Sequence, residues 1–161
     1  MPSLQEDIKS LSDWIVKAFT ADGYTLDYTI DSIIEVDRFF VKNMKDGKPS
    51  KKGRLAGQNV GQILFAIGSY VGETITKNVS GAEWITDDND PEGEITATIK
   101  LPDGTEMWPM QKVIKRFRNG GEDAIYPYVY TAVKPFLNHP FNERFWKVTA
   151  EKSGKPWWKF W

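Results

Sequence analysis

Apolar residues recur at helical spacing from the start of the chain. Leu4, Ile8, Leu11, Ile15, Ala18 and Phe19 share one face, with Trp14 on its flank. Ser3-Leu4-Gln5-Glu6 ahead of them has the form of a capping box, so an amphipathic helix is predicted, ended by Gly23. "YTLDYT" (24–29) reads as a short connector or strand. A second helix is predicted over about 30–45, with Ile30, Ile33, Ile34, Phe40, Val41 and Met44 on its apolar face and Asp37 at the centre of that face. "KDGKPSKKGR" (45–54) is a basic Gly/Pro/Ser run and predicts a mobile loop.

A third helix is predicted over about 55–78, lined by Val60, Leu64, Ile67, Val71 and Ile75. Beyond Gly81 the period changes to two. "AEWIT" (82–86), "EITATIKL" (94–101) and "GTEMWPM" (104–110) read as strands, the last two joined by a tight Pro102-Asp103-Gly104 turn. Pro109 opens a fourth helix with Met110, Val113, Ile114 and Phe117 inward, and a fifth follows from about 122 with Pro127 in its first turn. The pattern therefore predicts an α+β protein: two helices, a central helix, a small antiparallel meander of about three strands, then two more helices. Residues 1–137 form one domain in this reading, and 138–161 an irregular aromatic arm.

The central helix carries Gly57, Gly61, Gly68 and Gly72, all within about 60° of one another on a helical wheel. Each costs up to about 1 kcal/mol relative to alanine. A stripe without side chains implies close approach of another backbone, or else a groove that takes a partner or ligand. Tyr70 lies at the edge of the apolar stripe, which implies a buried ring with a bonded hydroxyl. Glu73 falls on the polar face, which implies a solvated carboxylate paired with Lys77; the alternative is that it reaches back to bond the loops around it. Asp37 on an apolar face requires a partner, and a structural ion pair is expected; a wet rim position and a catalytic carboxylate are the alternatives.

Composition narrows the chemistry. The chain has 161 residues, a net charge of −1, no cysteine and a single histidine, His139. Disulfides, thiol catalysis and multi-histidine zinc sites are excluded, and no global field draws nucleic acid. No cofactor or metal is implied. "DNDPEG" (88–93) starts like a calcium loop but has Ile99 where the bidentate glutamate belongs, so it reads as an acidic turn. "KVIKRFR" (112–118) is a basic helix suited to an acidic partner. "KPWWKFW" (155–161), with Trp157, Trp158 and Trp161, suits docking on its own domain or a second copy, or weak contact with a membrane surface. No apolar run approaches the ~20 residues of a membrane-spanning helix. With no signal-peptide pattern at Met1, a cytoplasmic protein is expected.

Three stretches resemble a family of small bacterial α+β proteins of unknown function: "LDYTIDSIIEVDRFF" (26–40), "AIGSYVGETITKNVSGAEW" (66–84) and "DGTEMWPMQKVIKRFRNGGEDAIYPYV" (103–129). That family has a G-x-Y-x-G-E helix, a tryptophan-bearing strand and a P-x-x-x-V-x-K-R helix. The resemblance makes Gly68, Tyr70, Gly72, Glu73, Trp84, Pro109, Lys115 and Arg116 signature positions, and it supplies no catalytic residue. Some similar proteins are encoded near secreted toxins, which implies an immunity role.

The expectation is a non-enzymatic protein-binding module, with an immunity protein as the specific form. Its binding residues are sought among Tyr70, Glu73, Asp37, Arg116, Trp84, Trp108, Trp157, Trp158 and Trp161. A small enzyme using Asp37, Glu73 and Tyr70 is the first alternative. Membrane-surface or self-association through the tryptophan-rich end is the second.

Overall fold

The structure is a computed structural model and describes residues 2–150. Helix α1 (Leu4–Ala21) starts at Ser3, whose hydroxyl accepts the Glu6 N–H, as the capping box predicts. Helix α2 (Ile33–Asn43) follows a 3-10 turn over Ile30–Ser32. Residues 24–29 form a connector, not a strand; Tyr28 turns it with φ +63°. Its backbone N–H donates to the Tyr70 hydroxyl and its carbonyl accepts from Asn78.

The basic run after α2 is not a featureless loop. Strands β1 (Met44–Lys45) and β2 (Lys48–Pro49) pair in a two-residue hairpin through Asp46 and Gly47, both at positive φ. Asp-Gly is the turn chemistry this geometry demands. Helix α3 (Val60–Asn78) begins five residues later than expected, because Arg54–Ala56 form a separate 3-10 turn and Gly57 is extended.

Strands β3 (Glu83–Ile85), β4 (Thr98–Lys100) and β5 (Glu106–Met107) form the antiparallel meander, in the order β3-β4-β5, with Trp84 opposite Ile99 and Ile99 opposite Met107. The predicted strand over 94–101 is corrected. Its first half is a helical turn, α4 (Gly93–Thr96), closed because the Glu92 carbonyl accepts from Ile95 and Thr96 while Asp90 accepts the Thr96 hydroxyl. These local bonds override an alternation that reads as strand. Helices α5 (Pro109–Asn119) and α6 (Ile125–Val133) form as expected. Part of the aromatic arm is also helical. α7 (Arg144–Ala150) folds back on α2, where Arg144 pairs with Glu35 at 3.0 Å and Phe145 joins Tyr126, Phe141 and Trp146.

The result is an α+β fold organised around α3. α1 packs on one side of it and α5 on another, while α2 supports α6 and α7. Every residue from Ala66 to Ile75 is buried, so this stretch is enclosed on all faces. The main core runs through α1, α2, α3 and α6, and a small satellite cluster of Ile8, Ala97 and Met110 lies apart from it. No described helix is long and apolar enough to cross a membrane.

Candidate interaction surface

Asp37 is buried to 0% exposure, as its place on the apolar face requires, and it is a structural partner twice over. Its two carboxylate oxygens accept the backbone N–H groups of Ile125 and Tyr126, each at 2.8 Å. Those are the first two donors of α6; the third position is Pro127, which has no N–H. Ala124 precedes α6 and cannot cap it, so a carboxylate from 88 residues away takes that place. The Arg116 guanidinium, itself 5% exposed, sits 3.9 Å away and packs over the Phe40 ring. Burial pushes the Asp37 carboxyl up to about 6, against the two N–H groups and Arg116, which hold it down.

Glu73 corrects the helical wheel. Its predicted polar face does not reach solvent, because the middle of α3 is enclosed; Glu73 is 8% exposed. It accepts the indole N–H of Trp84 at 3.1 Å, and Lys77 lies instead over the Tyr28 ring. The Trp84 ring lies directly on Gly72, where a Cβ would fall among its ring atoms. Gly68 meets Met110 in the same way, with a Cβ only 2.9 Å from the Met110 Cα. Tyr70 is fully buried as expected. Its hydroxyl lies 2.5 Å from the Ser32 hydroxyl and accepts the Tyr28 N–H, and burial raises its pKa. Asp37, Glu73 and Tyr70 thus serve three separate sets of structural partners and form no common constellation.

The glycine stripe therefore divides. Gly68 and Gly72 are the close-packing half. Gly61, in the first turn of α3, is open, with nothing within 4 Å of a Cβ; Gly57 is equally open but lies before α3 in extended backbone, so the predicted helical stripe does not include it. Gly61 lines an apolar groove of about 260 Å³ between α3, α4 and α5, with Leu64, Phe65, Ile95, Met110 and Ile114. Gly57 lines a second groove of about 270 Å³, bounded by Trp14, Ala18, Phe39 and Ile63, with the Asp22–Arg54 ion pair at its rim. Trp14 and Ile95 are each 42% exposed.

The remaining expected binding residues separate by exposure. Trp108 is 39% exposed beside α5, whereas Trp84 and Arg116 are engaged internally. The basic helix 112–118 loses much of its patch. Arg116 points inward, and Lys112 is held by Asp123 at 3.2 Å and stacks over Tyr128. Only Lys115 and Arg118 of the four cations stay exposed. The acidic turn serves α1, with the Asp88 carboxylate accepting the Leu4 N–H. Among the described residues no cluster of His, Asp or Glu suits a metal ion. Trp157, Trp158 and Trp161 lie outside the described residues. The groove alternative for the glycine stripe covers Gly61, but sequence reasoning missed Trp14 and Ile95 as surface features. For Ile95 the signal was present as an isoleucine beside a run of loop-forming acidic residues.

No protein-family model, curated protein or solved structure matches the chain.

Proposed function

We propose that the chain is a protein-binding module acting in the cytoplasm, and that an immunity protein which blocks a toxin is the specific form of this role. The observation that carries the reading is the open surface at and just before the start of α3. Gly57, before the helix, and Gly61, in its first turn, line apolar grooves where an added Cβ would meet nothing within 4 Å, and the large side chains Trp14 and Ile95 stand exposed at their edges. Exposed aromatic and aliphatic anchors beside preformed grooves on a packed scaffold are what protein interfaces use for affinity. The polar residues that an enzyme reading would draw on are spent on the fold: Asp37 on α6, Tyr70 on the 28–32 turn, Glu73 on Trp84.

Affinity capture from the source cells at native concentration tests the reading. A stoichiometric partner is expected, retained by the wild-type chain and lost from Trp14→Ala or Ile95→Glu variants that still fold. Absence of any such partner, with no toxin-like gene among the genomic neighbours, would count against it.

A further inference from the structure

The Gly61 groove does not end at its apolar wall. Glu94 forms part of that wall and also lines a neighbouring hollow of about 300 Å³, together with Asp7, Asp87, Asp88 and Asp90. The two depressions meet at this residue. The hollow holds five carboxylates, and no lysine or arginine is among the described residues that line it. Some of these oxygens are occupied. Asp88 caps α1, Asp87 takes the Asn89 N–H, and both oxygens of Asp90 accept bonds from its own loop. Asp7 and Glu94 have no side-chain partner among the described residues and face solvent.

The groove beside them lies over the satellite cluster of Ile8, Ala97 and Met110, whose outer members Leu4 and Phe65 stay partly uncovered. An apolar floor continuous with a negative hollow selects a particular occupant. We propose that the groove between α3, α4 and α5 docks a basic amphipathic segment of a partner protein, its apolar side chains on Gly61, Phe65 and Ile95 and its lysine or arginine side chains on Glu94 and the carboxylates beyond. The apolar contact supplies the anchor. The carboxylates steer a cationic segment and reject an acidic one by like-charge repulsion. This inference rests on the protein-binding reading and gives that partner a chemistry.

Two labelled twelve-residue peptides test it against the full chain. Both carry the same leucines and tryptophan on one helical face; one has lysine and the other glutamate at every polar position. By fluorescence anisotropy the lysine peptide binds and the glutamate peptide is at least about tenfold weaker. Salt weakens the lysine peptide. Backbone amide shifts concentrate at 61–65, 93–95 and 110–114. Ile95→Glu and Glu94→Lys, both at exposed side chains, each weaken binding roughly tenfold, the loss expected for one anchoring residue. Equal binding of the two peptides, or shifts elsewhere on the surface, overturns the proposal. So does binding that appears only after residues 151–161 are deleted, since the chain's own end is then the occupant. If affinity capture still retrieves a stoichiometric partner that is indifferent to both variants, the protein-binding reading stands and this site falls. If capture and the peptides both fail, both fall.

Discussion

Gly61→Ala, Gly68→Ala and Gly72→Ala place one substitution at three positions of one helix, and the structure assigns them opposite signs. At Gly61 the new methyl meets open space, so only backbone preference acts and stability rises by roughly 0.5–1 kcal/mol. At Gly68 the methyl lies 2.9 Å from the Met110 Cα and 3.2 Å from its nitrogen, so the start of α5 must shift. Overpacking of this kind costs about 1–3 kcal/mol, part of which the helix preference offsets. At Gly72 the methyl falls among the Trp84 ring atoms. The ring must leave, and its bond to the Glu73 carboxylate goes with it. A hydrogen bond to a charged group contributes about 1.5–3 kcal/mol. With overpacking added and the helix preference subtracted, the net loss is roughly 2–4 kcal/mol. For a chain of this size each kcal/mol moves Tm by about 2–4 °C. Thermal and urea unfolding followed by circular dichroism should therefore rank Gly61→Ala above wild type, then Gly68→Ala, then Gly72→Ala. A Gly72→Ala protein as stable as Gly61→Ala would refute the division of the stripe into a packed half and an open half.

Asp37→Ala leaves Arg116 buried without its counter-charge and two α6 donors unmet, and should cost about 3–5 kcal/mol in urea unfolding. The pH dependence of Asp37 has a definite sign. Its folded pKa of about 6 lies above the ordinary aspartate value of 3.8, so its contribution is fully present below about pH 4 and is lost as pH rises through 6. The stability difference between wild type and Asp37→Asn should shrink over that window by about 3 kcal/mol; a difference that grows would show the carboxyl to be lowered instead. Glu35 has the opposite sign. Burial opposes its charged form, but Arg38, the Thr25 N–H and Arg144 together hold its pKa below 4.5, so its contribution fades only as pH falls through that lowered value. Arg144→Ala should raise the Glu35 pKa, measurable by NMR titration of its carboxyl carbon. Tyr70→Phe removes the acceptor for the Tyr28 N–H and the partner of Ser32, and should lower stability by about 1–3 kcal/mol with little change in circular dichroism.

Much of the helical framework was legible in the chain. Local signals carried it: the Ser3 cap, the apolar spacing of α1, α2 and α3, Pro109 opening α5, and the Pro102-Asp103-Gly104 turn, where Gly104 adopts φ +88°. The errors came where local signals compete. "EITATIKL" alternates like a strand, yet Asp90 and Glu92 close a helical turn over its first residues. "KDGK" held a hairpin turn that its lysines and neighbouring Gly/Pro residues disguised as loop. α7 was hidden in an aromatic stretch whose helix is set by packing on α2, with Arg144 on Glu35.

The candidate surface was less legible, for a physical reason. Apolar period gives the face a helix buries, but not how many faces its neighbours cover. Sequence alone determined that Asp37 lies on an apolar face and needs a partner, that Tyr70 turns inward, and that Gly61, Gly68 and Gly72 align on one helix. Tertiary structure alone decided that Asp37 caps a helix 88 residues away and that Glu73, on a nominally polar face, is sealed under Trp84. It also decided that Gly57 falls outside that helix, that Gly68 and Gly72 touch a neighbour, and that Gly61 faces an open groove. Each of those outcomes depends on which distant element arrives opposite the residue, and side-chain spacing along one helix carries no information about that arrival.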